Sequence, residues 1–484
     1  MMVAKPEQPS FKILICLIRI WDADINDLMT IPDKVDTITE VKSIEISESF
    51  ENIVDTAKVK FPKGTVLRKT LDEINAEEDV KRVEVSMSDT GVVHVLKSQA
   101  KVAEVADFSV GRRIQIKLGY TEDPSIAALT KSRDGRETIY NSTEAKQKYE
   151  EAMNYVFEGY ITQCGLEEPI EIKCEDLGHM TKKVMCPYIG SISKSTVNDF
   201  LSADGRYKLL EDTGLTLYGP TKNANVNIGK FSSDKNMTVY ELLSSWAKNK
   251  LYSFTVIDDS NKPCVACAKS YLTNAGDDSV INVMDKGGDI PEIDFGYHVA
   301  NNGLTLSRID PLFLAVRATG IDAKGKQLHL VVMLNPENTD EYRVINESGL
   351  SKKEKKAGKI NTKVNLKQYT VVQFRSDTDK VTRDQLKKEA IEYFESYNKN
   401  GMDGSLTLFG DFGNISAKLN EPYLNTYGKG FLYTGGKVRL NDQRQPAKNG
   451  VYLVGEVITR FGTEGYRKII KLPYCISLDS ENNG

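Results

Sequence analysis

Apolar side chains return at every second position in long stretches near both ends of this chain, and that period restricts its fold more than any other feature. Ile44 and Ile46 alternate with Glu45 and Ser47. Ala57, Val59 and Phe61 alternate with Lys58 and Lys60, and Pro62 ends the run. Ile114, Ile116 and Leu118 alternate with Gln115 and Lys117. Successive side chains of a strand point to opposite faces, so each run predicts one face on a core and one in water. Antiparallel sheets commonly carry that pattern. The run Ile13 to Ile18 is too short for a membrane span or for the apolar stretch of a signal peptide, and it leads into Arg19-Ile20-Trp21-Asp22; it predicts a buried first strand. Strands resume at Val156 to Thr162 and at Ile170, Ile172 and Cys174, after a polar insertion between Thr121 and Asn154.

Two distant segments echo each other. Tyr155-Val-Phe-Glu-Gly-Tyr-Ile-Thr-Gln-Cys-Gly165 aligns without a gap on Tyr452-Leu-Val-Gly-Glu-Val-Ile-Thr-Arg-Phe-Gly462, with Tyr, Ile, Thr and Gly coincident. Each follows a glycine-led strand, Gly111-Arg-Arg-Ile-Gln-Ile-Lys-Leu118 or Gly436-Lys-Val-Arg-Leu440, and each precedes another alternating strand. The shared order predicts two β-domains of similar build. Small closed barrels suit them, because closure removes exposed strand edges.

Between these ends the pattern is mixed. Ser195 to Leu201 predicts a short helix. Thr238-Val-Tyr-Glu241 is a capping box followed on one helical face by Val239, Leu242, Leu243 and Trp246, and Tyr252 to Ile257 reads as a strand. Strands are predicted again at Leu304 to Ile309, Leu312 to Thr319 and Leu328 to Leu334. A lysine-rich stretch, Ser351 to Lys363, reads as a solvated loop. Thr382-Arg-Asp-Gln385 opens the clearest helix, with Leu386, Ala390, Phe394 and Tyr397 near one face and Asn400-Gly401 as its stop. Asn449-Gly450 marks a turn between two later strands.

At 484 residues the chain has room for roughly three domains. The expected architecture is mainly β with an α+β part: two similar small β-barrel, tube-like domains, a central α/β domain and one helix in the C-terminal half. The first barrel takes 1–175 with the insertion 121–154, the α/β domain 176–292, and the second barrel 293–380 and 405–484, with the helix 381–404 inserted in it.

Recognisable chemistry is missing from the residues. The balance of 64 Lys+Arg against 68 Asp+Glu is too even for a dedicated nucleic-acid binder. Cys16, Cys164, Cys174, Cys186, Cys264, Cys267 and Cys475 are odd in number and loosely spaced, which fits reduced thiols in a cytoplasm rather than a disulfide framework. Cys264-Val-Ala-Cys267 has no second ligand pair for zinc and sits in a predicted strand, where a redox motif would open a helix. His94, His179, His298 and His329 form no His-Glu-x-x-His and no close pair. Gly320-Ile-Asp-Ala-Lys-Gly-Lys-Gln327 nearly matches a phosphate-binding loop, but Gln327 replaces the Ser/Thr that would hold magnesium and a strand follows; a hairpin turn explains it. There is no Gly-x-Ser-x-Gly elbow, and acidic neighbours such as Glu167-Glu168 single out no acid–base pair. No catalytic, cofactor-binding or metal-binding residue is predicted, no cofactor is implied, and the chain reads as non-enzymatic.

The segment Glu40-Val-Lys-Ser-Ile-Glu-Ile-Ser-Glu-Ser-Phe-Glu-Asn-Ile-Val-Asp-Thr-Ala-Lys-Val-Lys-Phe-Pro62 resembles the opening strands of phage-type tail baseplate hub proteins, a family that includes the late-control D proteins and the hub part of type VI secretion spike proteins. Gly111 to Tyr120, Phe157 to Ile161 and Ile170 to Asp176 are similar to the next strands of that family's first barrel. The helix from Thr382, Gly404 to Gly410, Gly436 to Leu440 and Gly450 to Ile458 are similar to the end of its second barrel. The resemblance covers about two thirds of the chain and rests on strand and glycine patterns, and the insertions at 121–154 and 351–363 depart from it. It implies a homotrimer whose six pseudo-equivalent barrels join a hexameric tail tube to a trimeric spike. Its partners would be the tube ring, a separate spike and a tape-measure protein, without membrane insertion or sequence-specific nucleic-acid binding. No Val-Gly β-helix repeat follows the second barrel, hence the separate spike. It would assemble in the bacterial cytoplasm and reside in the virion tail baseplate of a phage or a phage-like injection particle. A tail adhesin for glycans or surfaces is the alternative; a peptidoglycan hydrolase is a third reading.

Overall fold

The computed structural model describes residues 13–23, 31–32, 35–67, 83–85, 93–95, 101–121, 152–192, 195–228, 231–232, 236–247, 250–258, 260, 262–269, 278–285, 287, 290–305, 313–335, 338–346, 366–376, 380–397, 401–410 and 432–479. The insertion expected at 121–154 and the lysine-rich loop at 351–363 lie almost wholly outside them.

The alternating runs form strands. In chain order the first third holds β1 (Ile13–Trp21), β2 (Asp36–Ile38), β3 (Ser43–Ser49), β4 (Thr56–Lys60), β5 (Val66–Leu67), β6 (Val83–Val85), β7 (Val93–Val95), β8 (Lys101–Val102), β9 (Arg113–Thr121), β10 (Met153–Cys164) and β11 (Glu171–Asp176). The middle holds β12 (Ser191–Ile192), α1 (Val197–Leu201), β13 (Thr216–Leu217), α2 (Gly219–Ala224), β14 (Phe231–Ser232), α3 (Val239–Trp246), β15 (Leu251–Ile257), β16 (Pro263–Lys269) and α4 (Val280–Val283). The remainder holds β17 (Glu292–Asp294), β18 (Val299–Asn302), β19 (Leu314–Ile321), β20 (Gln327–Asn335), β21 (Asn338–Asn346), β22 (Thr370–Arg375), α5 (Arg383–Tyr397), β23 (Leu406–Phe409), β24 (Lys437–Asn441), β25 (Gly450–Leu453), β26 (Glu456–Gly462), β27 (Gly465–Lys471) and β28 (Tyr474–Leu478).

One sheet of 11 strands runs β18-β23-β27-β26-β3-β4-β11-β10-β9-β1-β2, and a four-stranded sheet runs β17-β24-β25-β28. Within them one ladder occurs twice. The first module orders its strands β3-β4-β11-β10-β9, and the second orders its own β18-β23-β27-β26, with β25 continuing β26 and pairing with β24. Every one of these pairs is antiparallel. Chain order agrees too: β3, β4, β9, β10, β11 against β18, β23, β24, β25/β26, β27. The sequence echo lands on equivalent rungs. Tyr155 faces Lys117 of β9 and Tyr452 faces Val438 of β24, while Ile161 faces Cys174 of β11 and Ile458 faces Ile469 of β27.

Among the described residues the expected barrels do not close. β2 and β18 end the long sheet at opposite extremes. The outer edge of β3, which a closed barrel would pair within its own module, is taken by β26 of the second module. The edge is sealed by joining the modules rather than by closing either one, which satisfies the same backbone groups.

A second departure concerns 304–376, expected in the second barrel. Strands β19 to β22 form a sheet of their own, ordered β21-β20-β19-β22. Leu386, Ala390 and Phe394 of α5 pack on it with Leu314, Val316, Leu330 and Val332. The helix has one apolar stripe and needs a sheet face to cover it; the unit is inserted between β18 and β23. Its capping box is present: the Thr382 amide donates to Gln385 Oε1 and the Gln385 amide to Thr382 Oγ1.

The central part holds α3, capped by Thr238 and Glu241 as the sequence predicts, and the short sheet β13-β16-β15. The β3–β4 turn plugs into it. Phe50 is fully buried with Tyr218, Phe254, Leu453 and Tyr474, while Ile53 and Val54 join Leu242, Leu243 and Trp246. Asp55 secures the turn by accepting from the Ser49 amide at 3.0 Å. One turn of the first module therefore packs into both central cores, and one of these includes side chains of the second module.

Candidate functional site

The seam between the modules is the feature most suited to function. β26 lies antiparallel on β3 over seven rungs, from Glu456 opposite Ser49 to Gly462 opposite Ser43. Alternation explains its two faces. Ile44 and Ile46 point into the first module's core, and Phe461 and Tyr466 of the second module enter that same core. Tyr120 of β9 donates its hydroxyl to the Tyr466 carbonyl at 3.2 Å, with the two ring centroids 5.5 Å apart. On the other face Arg460 meets Glu45 at 2.7 Å and the Ser49 hydroxyl donates to the Gly455 carbonyl at 3.3 Å. Such half-exposed ion pairs contribute little each; the shared core and the ladder hold the seam.

Ionisable groups crowd behind it. Asp176 ends β11 and accepts from the Gly178 amide at 3.0 Å and from the Thr255 hydroxyl. Burial raises its carboxyl to about 7 against those stabilising bonds. Burial likewise pushes Glu48 up to about 7, with Lys468 pulling the other way. Asp55 is raised well above the carboxylate range by burial and by the charges of Asp176 and Glu48. Further along β9, Arg113 pairs with Glu158 of β10, which also accepts from Gln115 at 3.2 Å. The Arg113 guanidinium lies 5.4 Å from the Trp21 ring centre and 5.2 Å from that of Tyr160. Arg113 and Gln115 are buried, so the face of β9 expected in water is covered. Trp21 of β1 and Tyr160 of β10, directly opposite Arg113, flank it on that face, which alternation alone does not reveal.

The residues weighed for chemistry are scattered. Cys264 and Cys267 lie in β16 in different cores and contact the Thr216 and Ser253 hydroxyls at 3.1 and 3.2 Å. Burial pushes the Cys267 thiol up to about 12. His179 bonds Glu175 at 2.7 Å, and His298 Nδ1 accepts from the Asp294 amide at 3.0 Å. His329 lies in β20, and the side chain of His94 lies outside the described residues. Gly320–Gln327 is the β19–β20 hairpin: Asp322 Oδ1 accepts from the Lys324 and Lys326 amides at 2.8 Å, and Gly325 supplies the positive φ of 74°. Among the described residues no group of three or more His, Cys, Asp or Glu is arranged to hold a metal ion, and no helix is long and apolar enough to cross a membrane.

Fold and seam define a mainly β protein built from one ladder used twice and fused along a common edge. No family model matches the sequence, and no curated protein matches it. Among solved structures, it is similar to the tail protein from Neisseria meningitidis MC58, at 10% identity and a TM-score of 0.46, over 95% of this chain and 96% of that one. It is similar to the prophage MuSo2 43 kDa tail protein from Shewanella oneidensis, at 10% identity and a TM-score of 0.45, over 96% and 99%. It is also similar to a chain of the Francisella PdpA-VgrG complex, at 11% identity and a TM-score of 0.42, over 96% of this chain and 53% of that one.

Proposed function

We propose that this chain is the structural hub of a contractile phage-type tail baseplate. Three copies close into a ring whose six modules, two from each chain, meet a hexameric tube on one side and a trimeric spike on the other. The observation that carries this reading is the ladder repeated in the same chain order and joined to its duplicate through β3 and β26. A threefold ring of chains with two equivalent modules offers six similar surfaces, which is what an adaptor between threefold and sixfold partners requires. A heterologous contact repeated around a closed ring is self-limiting. The resemblance of Glu40–Pro62, Gly436–Leu440 and Gly450–Ile458 to baseplate hub sequences supports the same reading. The partners are the tube ring, a separate spike and the tape-measure protein, and the site of action is the baseplate. No catalytic step belongs to the role.

The test is to label the chain at an exposed loop in cells that make it and to image purified tail particles. Label at the distal end of the tube, three per particle, is the expected result. Label along the tube or on peripheral fibres, or particles that lack the chain and remain intact at the tip, would refute the reading.

A further inference from the structure

The internal seam contains a rule for the next contact. β3 of the first module lies on β26 of the second. The equivalent of β3 in the second module is β18, which ends the long sheet and whose residues Ala300, Asn301 and Asn302 are exposed. β3 carries Glu45 and Glu48; β18, Val-Ala-Asn-Asn, has no charge. An exposed strand edge without charges is a template for pairing. Beside it, Tyr297 is 79% exposed and Phe409 39% exposed, with Arg467 over the Phe409 ring at 5.1 Å.

The equivalent of β26 in the first module is residues 159–166: the rungs match Ile161 with Ile458 and, past a register shift at Thr162, Gln163 with Thr459. There the acceptor edge is shorter. β9 continues to Arg113 opposite Tyr160, and the Gly111 amide reaches the Ile161 carbonyl at 2.8 Å, whereas β24 stops with Lys437 opposite Leu453. What remains begins at Thr162 and is bordered by two exposed apolar side chains, Val110 at 63% and Leu166 at 85%. Four of the large exposed hydrophobic residues thus flank the two edges that the internal seam pairs by analogy.

We infer that the β18 edge of one copy lies along residues 162–166 of a second copy, with Tyr297 and Phe409 packing against Val110 and Leu166; this rests on the ring reading above and names its seam between chains. One donor edge and one acceptor edge per chain make the contact heterologous, and a ring of three closes it. Because the acceptor is shorter than the seven-rung internal seam, copies part before the modules of one chain do.

The test uses the full chain with Cys164→Ser and Cys475→Ser as background and compares Asn301→Cys, Gln163→Cys and the double variant under a short bismaleimide, with mass by light scattering alongside. The expected result is species of two and three chains of 54.0 kDa from the double variant alone. Tyr297→Lys is expected to weaken association by about tenfold or more with unchanged circular dichroism. A trimer that does not link through 301 and 163 overturns the seam and leaves the hub reading standing. Links between two copies of residue 301 overturn it in favour of a two-fold contact. A chain that stays single at its highest soluble concentration, with no link, also overturns the seam, and the hub reading then rests on the labelled particles.

Discussion

Phe50→Ala tests whether the β3–β4 turn locks the first module to the rest of the chain. Phe50 is fully buried, and its ring meets Tyr252 and Phe254 edge to face at 5.9 and 6.3 Å. Truncating a buried Phe removes its transfer free energy and leaves a cavity, together about 4 kcal/mol. With a urea dependence of about 3 kcal/mol per molar, the midpoint moves down by roughly 1.3 M. The chain supplies its own reporters, since its two tryptophans are Trp21 in β1 and Trp246 in α3. Urea titrations of Phe50→Ala in Trp21→Phe and Trp246→Phe backgrounds therefore read the two regions separately. Both fluorescence transitions are expected to move together. If Trp246 moves and Trp21 keeps its midpoint, the turn is a local plug and does not couple the first module to the centre.

Other consequences are as direct. Arg113→Met leaves Glu158 buried without its partner and is expected to cost about 3–5 kcal/mol, while Arg113→Met with Glu158→Leu recovers most of it, measured by denaturant unfolding. Asp176 and Glu48 hold protons in the fold up to about pH 7 but release them nearer pH 4 when unfolded, so their stabilising contribution is full below about 4 and lost as pH rises through about 7. Stability at pH 8 is accordingly expected below that at pH 5, and Asp176→Asn is expected to flatten the difference; equal slopes in both proteins would remove Asp176 as the cause. Cys267 is expected to resist a thiol reagent at pH 8 in the native protein and to react once urea unfolds it, because burial both shields the sulfur and keeps it protonated.

Much of the fold was legible because the period of two is a local property. Ile44, Val59, Ile114 and Ile172 fall on one buried face as their spacing requires, and the matched Tyr155 and Tyr452 point to the ladder that occurs twice. The capping boxes at Thr238 and Thr382 are likewise local, although Thr196 with Asp199 at α1 was missed for want of a Glu or Gln. What alternation does not encode is the partner of an edge. Nothing in Ser43–Ser49 names Glu456–Gly462 as its neighbour, so closure within a module was the economical expectation. A strand with both faces buried escapes the pattern when its second face is lined by a paired charge, as Arg113 and Glu158 show. The insertion of β19–β22 escaped because its strands have the same period as those around them, and only the stripe of α5 distinguishes their core.

The β3–β26 ladder sets a condition on biosynthesis. Glu45 and Arg460 meet across 415 positions of sequence. At a ribosomal pace of 5–20 residues per second, the N-terminal strand waits roughly 20–80 s for its neighbour to be translated. During that interval its edge is a docking template for any other nascent strand, and contacts of such high sequence separation form slowly even when both halves exist. Glu45 and Glu48 on the waiting strand make wrong pairings less favourable. Cells that synthesise this chain quickly, or in excess of its holdase supply, should therefore lose it first as insoluble half-ladders.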